Sequence, residues 1–184
     1  MSKIAVDLNS ANKFAEAILY IAYKSQFDPK FGAIKLNKIL FYSDFFAYRE
    51  LGKSITGVEY QHLDEGPAPK ALLPVREKLI SDGSIELEYR RYFNGVQERI
   101  VAKRKPDLHI FTPEEINTID EVIDALKNLN GREVTELSHK EFGWKLTNDG
   151  EVIPFRTAWF STEPLNMDQI EYGKKIAGRY GLAR

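Results

Sequence analysis

Cysteine is absent from the 184 residues, which removes disulfides, iron–sulfur clusters, thiolate zinc sites and thiol nucleophiles together. A reducing compartment, the cytoplasm, is the expected setting. A long apolar run is also missing. The longest, Ala17 to Tyr23, falls far short of the ~20 residues that cross a bilayer. Met1 to Ser10 carries Lys3 and Asp7 with no apolar centre, unlike a secretory leader, so a soluble protein with no membrane partner is expected. Nor is there an excess of either charge. Lys and Arg number 26 against 27 Asp and Glu, a formal charge of −1, which argues against coating nucleic acid by bulk electrostatics and leaves room for a local basic face.

The motifs of common enzymes are missing too: no glycine-rich phosphate loop ending in Lys-Ser/Thr, no dinucleotide fingerprint, no nucleophile elbow, no His-Glu-x-x-His. His62, His109 and His139 are dispersed. Only Glu136 and His139 share a helical face, and one pair is fewer than the three or more ligands a metal needs. No catalytic residue, metal or cofactor is assigned, and the chain is read as a non-enzyme. His139 reads as a hydrogen-bond donor that fixes a turn near Trp144.

What the chain does have is apolar material: 43% hydrophobic and 12% aromatic residues, enough for one domain spanning residues 1–184. Helical periodicity places a first amphipathic helix from Ala11 to Tyr23. A second runs from Ala33 to Leu51 and ends at Gly52. In it Leu36, Ile39, Leu40 and Ala47 form one apolar row and Phe41, Phe45 and Tyr48 another, the mark of a central helix covered on both sides. Asp44 continues the first row, so a carboxylate is expected near the core, read as a contact to a neighbouring loop in preference to an acid/base role. Alternation predicts a short strand at Gly57 to Leu63, and Gly66-Pro67-Ala68-Pro69 a turn. Lys70 to Asp82 reads as a helix with Leu72, Leu73, Val75, Leu79 and Ile80 inward, either kinked at Pro74 or regular only from there.

Two alternating runs around Asn94-Gly95 predict a β-hairpin over Ser84 to Lys105. With those two residues as the loop, Leu87/Ala102, Tyr89/Ile100, Arg91/Glu98 and Phe93/Val96 share an apolar face that packs on the body. Glu86/Lys103, Glu88/Val101, Arg90/Arg99 and Tyr92/Gln97 share the other. Arg90 and Arg99 then sit side by side on an outer face, and their joint exchange for Glu is expected to leave folding intact. Thr112-Pro113-Glu114-Glu115 starts a further helix by cap, proline and capping-box signals, with Ile116, Ile119, Ile123 and Leu126 inward and Asn130-Gly131 at its end. A shorter helix follows from Glu133 to Phe142, then a turn at Asn148-Asp149-Gly150. A last helix, about 166–182, buries Ile170, Ile176, Ala177 and Tyr180. The fold class is mainly α with a small β element, a helical bundle around the second helix.

Charge is polarised along the chain: eight basic and five acidic residues from Arg76 to Lys105, six acidic and none basic from Asp107 to Asp124. Helix, helix, strand, helix and hairpin in that order suggest a winged helix, with phosphate contacts expected from Arg90, Arg91, Arg99 and Lys103. Against DNA binding, the helix that would enter the groove offers only Lys70, Arg76 and Lys78 and contains Pro74. A protein partner is served equally well by such a surface.

The run Lys35-Leu36-Asn37-Lys38-Ile39-Leu40-Phe41-Tyr42-Ser43-Asp44, then Gly52-Lys53-Ser54-Ile55-Thr56-Gly57, Gly66-Pro67-Ala68-Pro69, and Leu137-Ser138-His139 with Trp144 resemble, in order, the motifs of the Panacea domain family, which includes the SocA-like antitoxins. The resemblance covers roughly Asn12 to Phe160. It implies a mainly helical domain of bacterial and phage genomes, prophage-associated, acting as the antitoxin of a toxin–antitoxin pair by binding a cognate toxin protein directly. Of the matched residues, Lys35, Leu36, Lys38, Leu40, Phe41, Asp44, Gly66, Pro67, His139 and Trp144 read as structural. Partner contacts are assigned to Arg90, Tyr92 and Arg99 on the hairpin and Glu114, Asp120 and Asp124 on the acidic helix. A homodimer is left open, and DNA ranks below the toxin as a partner.

Overall fold

A computed structural model describes residues 8–92, 95–160 and 167–179. Helix α1 (Leu8–Lys24) leads through a tight loop to α2 (Ala33–Leu51), which stops where Gly52 takes a left-handed conformation at φ 74°. The central-helix reading holds: Leu36, Ile39, Leu40, Phe41, Phe45 and Ala47 are all buried, as are Lys35, Lys38 and Asp44 of the same helix. Strands β1 (Tyr60–Gln61), β2 (Ala68–Pro69) and β5 (Val152–Ile153) form a small antiparallel sheet in the order β2-β1-β5. The expected strand at Gly57 to Leu63 is thus only two residues long, though Val58 and Tyr60 point inward as its alternation requires. The sheet packs on α2 through aromatic rings, with Tyr60 edge-on to Phe41 and Phe45, and Phe155 against Phe45.

Helix α3 (Leu72–Ser81) contains Pro74 at its third position. Its first helical hydrogen bond runs from the Val75 N–H to the Ala71 carbonyl, so proline has no donor to lose and no kink results. Leu72 and Leu79 are buried, whereas Leu73 and Ile80 face solvent, a correction to the expected inward row. A ten-residue helix lying on one surface has room for one stripe only.

The hairpin of β3 (Ile85–Tyr92) and β4 (Gly95–Ala102) is present with a different register. Tyr92 faces Gly95, so the residues between the strands are Phe93 and Asn94, which lie outside the described residues. Every partner moves by two: Leu87 faces Ile100, Tyr89 faces Glu98, and Arg99 faces Glu88 instead of Arg90. A two-residue slip keeps each side chain on its face, so the apolar face survives, and Ile85 and Ile100 are buried at its base. Turn propensity favours Asn-Gly as the loop. The tertiary anchoring of Arg99, described below, and the removal of an Arg–Arg pair outweigh it.

Helix α4 (Pro113–Leu126) opens with the expected capping box between Thr112 and Glu115, and buries Ile119, Val122 and Leu126. Ile116 and Ile123 are only partly buried, and Val122 was not in the expected row. Asn130 does not end this helix. It caps the next, α5 (Gly131–Ser138), through a second capping box with Glu133. The short α6 (Phe142–Lys145) carries Trp144, and α7 (Met167–Arg179) is the last described element. Ile170 of α7 is half-buried; Tyr180 and the side chains of Ile176 and Ala177 lie outside what is described. No described helix is long and apolar enough to cross a membrane.

Leu40 is 1% exposed at the centre of α2. Leu40→Ala should therefore lower unfolding free energy by about 2–5 kcal/mol through the cavity it leaves, measured by urea denaturation. Stability equal to the parent's would remove Leu40 from the core.

Candidate functional site

The polar residues of α2 point into the protein, and each holds a loop. The Lys35 ammonium donates to Asp28 Oδ2 at 2.6 Å and to the carbonyls of Lys127 and Leu129, each at 2.9 Å, which uses all three of its protons. It thereby ties the α1–α2 loop to the α4–α5 loop. One turn on, Lys38 donates to the carbonyls of Glu65 and Pro67 in the β1–β2 loop. Burial lowers its pKa to about 8 against a small opposing pull from Glu65. Asp44, two turns further, accepts from the Thr56 amide at 2.8 Å, the Thr56 hydroxyl at 2.5 Å and the Tyr60 hydroxyl at 2.7 Å. Burial raises its pKa in spite of these donors. The carboxylate contacts a neighbouring loop as expected.

Segments far apart in the chain meet at Lys38. Gly66 has φ +87°, and a Cβ there would collide with Ser138 Oγ and stand 2.9 Å from Lys38 Nζ, so both backbone and space demand glycine. Ser138 is fully buried and donates to the Thr135 carbonyl. The helix motif, the Gly-Pro turn and the Ser-His element are therefore one contiguous knot. Beyond it Trp144 lies between two imidazoles, His139 on one face at 4.0 Å and His62 on the other at 4.2 Å, with its indole N–H on the Leu63 carbonyl. His139 stacks where a hydrogen bond was expected; its Nε2 is buried with no partner among the described residues.

Arg99 departs most from its expected place. It is 2% exposed, and its guanidinium donates to four carbonyls of the α1–α2 loop: Ser25 at 2.9 Å, Gln26 at 2.5 Å, Asp28 at 2.6 Å and Phe31 at 3.2 Å. It cannot contact a partner from there, and the expectation that its exchange for Glu is harmless falls with it. The sequence held one clue, the like-charge conflict with Arg90, which pointed to an error of register or of exposure.

The other assigned contact residues separate as well. Arg90 is exposed and ion-paired with Glu88 at 2.6 Å, and the Tyr92 side chain lies outside what is described. On α4, Glu114 and Asp124 are exposed, whereas Asp120 accepts from the Tyr20 hydroxyl at 2.8 Å and from Lys24 at 3.0 Å. No group of three or more metal-ligating side chains occurs among the described residues. At the surface, a groove of about 640 Å³ runs between the start of β4 and the N-terminal ends of α2 and α5.

Two measurements test this assignment of interior charges. Arg99→Ala should destabilise the fold by about 3–5 kcal/mol, while Arg90→Ala should stay within about 0.5 kcal/mol of the parent. Equal effects would overturn the inward placement of Arg99. For Lys38, the unfolded chain binds more protons than the native one between pH about 8 and the ordinary lysine value. The stability of the parent relative to Lys38→Met should therefore rise from pH 7 to pH 10. A difference independent of pH would mean that the two carbonyls keep the ammonium at its usual pKa.

Among known proteins, a family model described as antitoxin SocA-like, Panacea domain, matches residues 36–145, more than half of the chain. That stretch begins on the central helix and ends one residue past Trp144, enclosing the whole knot around Lys38. No curated protein and no solved structure matches.

Proposed function

Because the chain belongs to the SocA-like Panacea antitoxin family, we propose that it works by binding a cognate toxin protein directly, with no bond-making centre of its own. The observation that carries this reading is the fate of the family motif. Lys35, Lys38 and Asp44 are consumed by loop carbonyls, a loop carboxylate, an amide and hydroxyls. Their chemistry goes into holding a shape, which leaves the outer surface to act. A standard interface takes about 800 Å² from each partner, an area that one face of a 21.1 kDa domain supplies. Arg90, Tyr92, Glu114 and Asp124 remain the proposed peripheral contacts.

A winged-helix regulator is the weaker reading. Of the four cations assigned to phosphate, Arg99 is buried, and Arg90 and Lys103 are paired with Glu88 and Glu86. Arg76 on α3 pairs with Glu98. Phosphates would have to compete with carboxylates already in place.

Co-expression with the product of the adjacent gene tests the proposal. Restored growth and co-purification of a complex are expected. Undiminished toxicity with no complex, or salt-sensitive operator binding by this protein alone, would overturn it.

A further inference from the structure

The groove beside the hairpin, at about 640 Å³, is large enough to seat a stretch of polypeptide, and its walls differ in chemistry. Its floor is apolar and open to solvent: Val96 is 69% exposed and Ile34 37%. Its rim is positive. Lys30 stands on it, its ammonium donating to the Asn128 carbonyl at 2.5 Å and carrying no carboxylate partner among the described residues, and the carboxylate in its wall, Glu98, is neutralised by Arg76 at 2.5 Å. Arg132 also stands there, 87% exposed and ion-paired with Glu136 at 2.8 Å, a surface pair that a bound carboxylate has only to share.

The backbone adds to that sign. Gly32, the residue before α2, offers no side-chain cap, and the amides of Ala33, Ile34 and Lys35 have no acceptor among the described residues. Asn130 caps only the Glu133 amide of α5, leaving those of Gly131 and Arg132 without an acceptor there. Two helix ends thus add their partial positive charge to that of the two side chains. Glycine lines the groove at positions 32, 95 and 131; at Gly32 the missing Cβ lets β4 pack against the start of α2, and at Gly131 a Cβ would only touch the Ile34 side chain.

We propose that this groove seats an acidic segment of the protein partner, with its carboxylates toward Lys30, Arg132 and the free amides, and an apolar side chain on Ile34 and Val96. The proposal rests on the reading of the protein as a binder of another protein, and names the chemistry of what it binds. Nucleic acid fits less well, since an apolar floor gives a phosphate backbone nothing and two rim cations make a short electrostatic footprint.

The test uses an acidic hexapeptide with a central leucine, its lysine-substituted counterpart, and a 20-base-pair DNA duplex as probes, followed by backbone amide NMR. The acidic peptide should shift the amides of Ala33, Ile34, Gly131 and Arg132. Its affinity should fall at least tenfold in Lys30→Glu/Arg132→Glu, and stay unchanged in Lys53→Glu at the far end of α2, with melting temperatures showing that both variants fold. Silence of these amides, an equal response to the lysine peptide, or preference for the duplex would overturn the proposal. Co-purification with the adjacent gene product separates the two levels. If the double variant retains the partner as fully as the parent does, the groove assignment fails while protein binding stands; if the parent itself captures nothing, the broader reading fails.

Discussion

The structure depends on cations placed inside the protein with backbone carbonyls gathered around them. Lys35 and Lys38 on α2 and Arg99 on β4 are each at most 2% exposed, and eight of their nine hydrogen bonds go to carbonyl oxygens of loops. A buried ammonium or guanidinium without acceptors is strongly unfavourable, and so is a buried loop carbonyl without a donor. Placed together they satisfy one another. The α1–α2 loop shows this from two sides: Asp28 gives its carboxylate to Lys35 and its carbonyl to Arg99. Hairpin, central helix and loop are thereby locked in one arrangement.

The same anchoring shapes the exterior. With its loop drawn in by Arg99 and Lys35, the N-terminus of α2 stands against β4, so closely that a Cβ on Gly32 would press on Gln97 and the Glu98 carbonyl. The α4–α5 loop, held by Lys35 through Lys127 and Leu129, sets the start of α5 beside it. The walls of the groove are thus the outer ends of internal tethers. In a protein proposed to act by presenting a shaped surface, this gives a physical reason for a central helix that turns Lys35, Lys38 and Asp44 inward, away from solvent. A rigid concavity binds with less loss of conformational entropy than one that forms on contact.

Much of this was legible in the chain because it is local. The two apolar rows of α2, the stop at Gly52 and the capping box at Thr112 are written within a few residues of where they act. Several of the wrong positions had two locally compatible outcomes. Asn130 lies equally well after one helix or before another until Glu133 is seen to close back on it. His139 offers hydrogen bonds or a flat ring, and only the arrival of Trp144 at 4.0 Å selects the ring. The hairpin illustrates the limit best: Asn-Gly favours one loop, and the neighbouring register two residues away keeps every face the same, so local preference separates the two by little.

Periodicity, caps and turn chemistry thus specified a central helix, its neighbours, a hairpin and the family motif, since each arises from interactions spanning a few residues. Which charges went inside, where the strands of the hairpin met, and that a positive, apolar-floored groove opens beside them were settled by the assembled fold. Burial of Arg99 and Lys35 depends on carbonyls supplied by loops up to about a hundred residues away, and no stretch of sequence contains its own acceptors at that distance.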